Sequence, residues 1–165
     1  MQIRTNNGQV MYEAEFRAYT KANGGPSWET TTTEVLEALG ADVVFEGPQA
    51  TGGTVYQYSQ ASGVEQIDGK WFTKYVLGPV FTDTTDDTGN VTSATQHETA
   101  YKAVKDAEQA KSVRATRTEK LKDCDWTQIA DSTADKTAWA TYRQQLRDIT
   151  GQAGFPWTMT WPESP

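Results

Sequence analysis

The sequence predicts an α+β protein, with a small strand-rich unit in front and a helical region behind it. Three observations carry this prediction. Segments rich in Val, Thr and aromatic residues, punctuated by turn signals, fill residues 1–82. Residues 96–122 contain neither Gly nor Pro and are rich in Ala, Lys, Glu, Gln and Arg, the composition of one continuous helix. Between them, residues 83–95 hold one aliphatic residue beyond Ala, Val91, and read as a linker and domain boundary.

The front unit opens with Val10, Tyr12, Ala14, Phe16 and Ala18 alternating with Met11, Glu13, Glu15 and Arg17. That period of two is the pattern of a half-buried strand. Asn6-Asn7-Gly8 and Asn23-Gly24-Gly25-Pro26 bracket it as turns. The Thr30–Thr33 run offers a capping hydroxyl to a short helix over Glu34–Leu39, closed by Gly40. Ala41–Glu46 reads as a strand, stopped by Gly47-Pro48, and a second strand is expected around Thr54–Tyr58. Asp68-Gly69 is a hairpin-turn dipeptide between Val64–Ile67 and Lys70–Leu77, and Pro79 ends that ladder. The expected unit is a small antiparallel sheet crossed by one helix.

The helical region starts with Gln96–Lys122, about 40 Å of helix at 1.5 Å per residue. Its apolar stripe is thin: Ala103, Ala107 and Ala110 recur at seam spacing before Arg114 and Arg117 break it. Such a helix needs a partner to be stable. Asp131, Ser132 and Thr133 offer N-caps to a second helix over Ala134–Thr150, with Gly151 behind it. Trp139, Tyr142, Leu146 and Ile149 fall at i, i+3, i+7 and i+10, one face of a helix. Arg143 and Arg147 flank that face, their stems covering the aromatics or their heads pairing with Asp135 and Asp148. The closing segment with Phe155, Trp157 and Trp161 is expected to run extended because of its prolines, the indoles clamping the helices.

Composition narrows the function classes. A mean hydropathy of −0.68 implies a modest core, which six Trp, seven Tyr and five Phe partly offset. Residues 1–95 carry five basic and twelve acidic residues, and residues 96–165 carry ten of each, so the whole net charge of −7 lies in front. That balance opposes nucleic-acid and anionic-membrane partners. No segment approaches the ~20 apolar residues needed to span a bilayer. The N-terminus lacks the apolar run of a signal peptide, so the chain is expected in the cytosol where it is made. Cys124 is the sole cysteine and can form no internal disulfide.

Candidate chemistry is sparse. His97 is the one histidine, sits at a helix start and lacks a nucleophile motif beside it. Asp83, Asp86 and Asp87 cluster without the apolar surroundings that raise a carboxyl pKa, and without calcium-loop spacing. Cys124 has no second thiol to share a metal and is expected to be buried under Trp126. Trp71, Phe72 and Tyr75 offer a possible sugar-stacking surface, for which core or protein contact is the better account. The expectation is therefore no enzyme, no cofactor and no metal.

Residues 114–165 resemble the phage tail assembly chaperone-like domain. The resemblance rests on Arg117 and Leu121, Asp125-Trp126-Thr127-Gln128, Asp131-Ser132, the run Trp139 to Asp148, Gly154-Phe155-Pro156 and Trp161-Pro162 with Pro165. It implies a part in building or forming a bacteriophage tail. The added acidic unit and long helix suggest a virion structural protein, an adaptor near tail fibres or baseplate, assembled in the host bacterial cytoplasm. A transient assembly chaperone that leaves before the particle is complete is the alternative, and a receptor- or glycan-binding module ranks third. Partners would be tail, fibre or baseplate proteins, with self-association in a symmetric assembly. The anchors expected to brace the module or meet partners are Trp71, Trp126, Trp139, Tyr142, Arg143, Leu146, Arg147, Phe155, Trp157 and Trp161.

Overall fold

Two units fold around separate cores, Met1–Val80 and Phe81–Pro165, in a computed structural model that describes residues 1–165. The class is α+β, as the sequence predicts.

The first unit is built on Gln2–Thr5 (β1), Val10–Tyr12 (β2), Ala41–Phe45 (β3), Tyr58–Ile67 (β4) and Lys70–Gly78 (β5). Their order in the sheet is β2-β1-β3-β5-β4. The sheet is mixed, not antiparallel throughout: β5 inserts between β3 and β4 and runs parallel to β3, pairing Val44 with Trp71 and Phe45 with Phe72. Asp68 (φ 48°) and Gly69 (φ 77°) make the turn between β4 and β5. Left-handed backbone at both positions is the requirement of a two-residue hairpin loop.

Two helices accompany the sheet, where the sequence pattern suggested one. The alternating segment 10–18 is a strand only through Tyr12 and continues as the helix Glu13–Ala22 (α1). The same residues satisfy a helical period, because Phe16 and Thr20 are four apart and both are buried. Local chemistry favours the helix. The Glu15 carboxylate accepts the Tyr12 amide at 2.8 Å, Glu13 pairs with Arg17 at 3.1 Å, and Lys21 sits in the last turn. The second helix is Thr33–Ala38 (α2), its Thr32 hydroxyl accepting the Val35 amide at 3.4 Å and Gly40 taking φ 68° beyond its end. Ile3, Phe16, Leu36 and Ala41 form the core between sheet and helices, with Met11, Trp28, Leu39 and Val43 against it. Arg17 fastens the connecting loop: its guanidinium donates to the carbonyls of Trp28 (2.6 Å) and Glu29 (3.1 Å) and lies over the Trp28 ring.

The second unit begins with a small hairpin, Thr84–Thr85 (β6) and Val91–Thr92 (β7), inside the segment expected as a linker. The Asp86 carboxylate organises its turn, accepting the Thr88 and Asn90 amides at 2.9 and 3.0 Å and the Thr88 hydroxyl at 2.7 Å. Asp83 accepts the Ala94 amide at 2.7 Å, and Ser93 and Gln96 form a capping box. From there the helix Ala94–Asp123 (α3) runs without a break. A 3₁₀ turn at Asp125–Gln128 leads to the helix Lys136–Asp148 (α4) and a second 3₁₀ turn at Ile149–Gly151. Asp135, not Asp131, Ser132 or Thr133, caps α4, accepting the Thr137 and Ala138 amides at 3.0 Å. No helix is long and apolar enough to cross a membrane.

Candidate functional site

The C-terminal module is assembled from the last turns of α3, the 3₁₀ turn, α4 and the tail. Its core is Cys124, Tyr142 and Leu146, with Leu121, Trp139 and Trp161 packed around them. Tyr142, Leu146 and Ile149 are buried, so the apolar face expected on α4 is the face that packs; Trp139 forms its half-exposed border. Trp139 meets Tyr142 edge-on at 5.6 Å between centroids, and Trp126 meets Trp139 at 5.9 Å. Edge-to-face contact suits the ring quadrupoles and adds to the area each ring buries. Thr127 is fully buried within the 3₁₀ turn and donates its hydroxyl to the Cys124 carbonyl at 2.6 Å.

Arg143 joins the two helices. Its Nη1 donates to the Leu121 carbonyl at 2.8 Å and to Cys124 Sγ at 3.0 Å, and its Nη2 donates to Asp125 at 2.8 Å. A guanidinium is suited to this task, since its planar fork reaches a helix-terminal carbonyl and a carboxylate together. The positive charge also faces the negative end of α3. Burial works against that charge, and the bonds to Asp125 and Cys124 outweigh it, raising the pKa. The pairing expected from spacing alone is thus corrected. Arg143 binds Asp125, while Asp135 caps α4 and Asp148 accepts from Gln144.

The tail does not run extended from Phe155. Residues 152–158 coil into consecutive turns, the Trp157 and Thr158 amides both donating to the Gly154 carbonyl at 2.8 Å. Gly154 takes φ 84°, and a Cβ there would lie 2.0 Å from the Thr158 hydroxyl oxygen. Gln152 then grips Thr160 from both sides, donating to its carbonyl at 3.0 Å and accepting from its amide at 2.8 Å. This coil delivers three rings to α3. Phe155 lies beneath Arg114, Trp157 donates its indole N–H to Asp106 at 2.6 Å, and Trp161 lies near Lys120.

The expected residues therefore separate into groups. Tyr142 and Leu146 are core; Trp139, Arg143, Phe155, Trp157 and Trp161 brace the module. Trp126 is 53% exposed and meets the Trp139 ring, while Cys124 is buried in a cluster with Tyr142 and Leu146. Arg147 is exposed beside a shallow hollow with Asp148, Thr150 and Gln152. Trp71 belongs to the first unit, where Arg4 stacks on its ring at 3.8 Å. Sequence reasoning missed Asp106, Arg114 and Asp125 as partners. A signal existed for the first: Asp106, Ala110, Val113 and Arg117 follow one another at spacings of four, three and four. The seam is this face, where Ala110 and Val113 are buried, while Ala103 and Ala107 are exposed. His97 lies against the hairpin, its Nε2 2.8 Å from the Thr84 hydroxyl.

The C-terminal module is a helix pair fastened by the Arg143 clasp and closed by a tail that carries three aromatic rings. Residues 110–165 match the family model described as phage tail assembly chaperone protein. The match starts at Ala110, the first buried residue of α3, and takes in the whole module. The C-terminal third of the chain is thus similar to phage tail assembly chaperone proteins. No curated protein and no solved structure matches the chain.

Proposed function

We propose that this chain is a non-enzymatic adaptor of a bacteriophage tail, seated near the fibres or baseplate and acting by protein–protein binding. The observation that carries this reading is the joining of a family-matched module to a second unit with its own core, Ile3, Phe16, Leu36 and Ala41. Two units give two docking surfaces, which an adaptor needs. Trp126 and Trp71 are the best candidates for ring contacts with partners, the first because it is the most exposed Trp of the module. Partners are tail, fibre or baseplate proteins, with copies of the chain repeated as tail symmetry requires. The protein would assemble in the host bacterial cytoplasm and stay in the virion.

The family description supports a second reading, a transient chaperone released before the particle is finished. Quantitative mass spectrometry of purified virions separates the two. The adaptor reading expects the chain in particles at a fixed ratio to tail proteins. A chain absent from virions but co-purifying with a tail protein from infected cells establishes the chaperone and removes the adaptor. Binding to no tail protein in either sample defeats both.

A further inference from the structure

We propose that the first unit carries a saccharide-binding pocket between α1 and the loops beside it. The pocket has a volume of about 470 Å³, within the range of small-molecule sites. Its lining includes three asparagines, Asn6, Asn7 and Asn23, with Tyr19 and Thr20 on α1. No Lys, Arg, Asp, Glu or His lines it, although 22% of the chain is charged. A charged ligand would have no counter-ion there, and a purely apolar one would strip water from several amides without replacing their hydrogen bonds. A neutral, polyhydroxylated ligand meets both conditions.

The polar groups are free to bind it. The Asn7 carbonyl oxygen is taken by the Thr5 hydroxyl and the Gln9 amide, which leaves its NH₂ as a donor. The Asn23 NH₂ donates to the Tyr19 carbonyl at 2.8 Å, which leaves its side-chain oxygen as an acceptor. The Asn6 carboxamide packs over Gly40 and keeps both donor and acceptor. A Cβ at residue 40 would lie 2.7 Å from the Asn6 amide nitrogen, and Gly40 has φ 68°, so the glycine both makes the turn and leaves the amide its place. Adjacent donors and acceptors are what vicinal hydroxyls engage. The apolar side of the pocket is Phe16, Tyr19, Ala38 and Leu39, and Tyr19 is 36% exposed and stacked on buried Phe16 at 6.5 Å and 20°. A flat, partly exposed ring backed by a second ring is a surface on which the C–H face of a pyranose can lie.

The test is titration of the ¹⁵N-labelled full chain with glucose, galactose, mannose, N-acetylglucosamine and lactose, with glucuronate as the charged control. The expected result is saturable amide shifts at Asn6, Asn7, Tyr19, Asn23 and Gly40 with at least one neutral sugar, and weaker binding of glucuronate. Tyr19→Ala and Asn6→Ala should each weaken binding by about fivefold or more, the effect of losing one contact. The Asn6 side chain has no role in the core, so Asn6→Ala should melt as the parent does and keep the test valid if Tyr19→Ala unfolds. Absence of saturable shifts up to ~50 mM overturns the proposal, as do shifts unchanged in Asn6→Ala or tighter binding of glucuronate than of every neutral sugar.

Discussion

Arg143 contacts three groups from one side chain: a helix-terminal carbonyl, a thiol and a carboxylate, all between 2.8 and 3.0 Å. Only 11% of that side chain is exposed, whereas its partner Asp125 is 64% exposed. The value of the residue therefore lies in satisfying the end of α3, more than in the ion pair, which water screens on the carboxylate side. Lysine carries the charge but has no planar fork. Arg143→Lys should destabilise the C-terminal unit by about 1–3 kcal/mol, read as a lower urea midpoint by tryptophan fluorescence. Asp125→Asn should cost clearly less, about 1 kcal/mol or below. Equal losses in the two variants would mean that the ion pair, and not the clasp on Leu121 and Cys124, holds the helices.

Among the elements, the hairpin of β6 and β7 depends on one carboxylate. Hydrogen bonds from the Thr88 hydroxyl and from the Asn90 backbone and side chain hold the Asp86 pKa down at about 2, against an ordinary 3.8. A carboxyl whose folded pKa lies below its unfolded one stabilises structure above the unfolded value and loses that effect as pH falls through the folded value. The turn should thus be intact above pH 3.8 and open as pH falls through about 2. The amide shifts of Thr88 and Asn90, followed by NMR from pH 5 to 1.5, report this directly. A midpoint near 3.8 would contradict the arrangement, and Asp86→Asn should remove the transition. The same hairpin marks a limit of sequence reading. Residues 83–95 are polar and poor in aliphatics, which describes a linker and a side-chain-bonded turn equally well, because the bonds of Asp86 involve no apolar pattern. The segment 10–18 failed for a related reason. Its residues fit both periods, and the helix won through Glu13, Glu15 and Arg17, whose contributions are local and electrostatic.

Across the whole molecule, the two cores share no residue: Ile3, Phe16, Leu36 and Ala41 in one unit, Cys124, Tyr142 and Leu146 in the other. Truncating a fully buried leucine removes both transfer energy and packing, at about 2–5 kcal/mol. Leu146→Ala should therefore lower the stability of the second unit by that amount. Amide exchange protection around Ile3 and Leu36 should be unchanged. A parallel loss of protection there would show that the units unfold as one. Two independent cores also suit the adaptor reading, since each unit can hold its shape while the other meets a partner.

By itself the sequence determined the α+β class, the long Gly- and Pro-free helix, the Asp68-Gly69 turn, the buried face at Tyr142, Leu146 and Ile149, and the likeness of the last third to a tail assembly chaperone domain. These follow from rules that act within a few residues: propensity, period and the dihedrals that Gly and Asp accept. Tertiary structure decided which side of α3 is covered, where Arg143 points, and that the tail coils before it extends. Trp157 and Asp106 are 51 positions apart, and Arg143 and Leu121 are 22 apart. At such separations several acids and carbonyls compete as partners on equal local terms. Only the packed position of the backbone selects among them, because an indole N–H or a guanidinium taken from water must find its acceptor within hydrogen-bond reach.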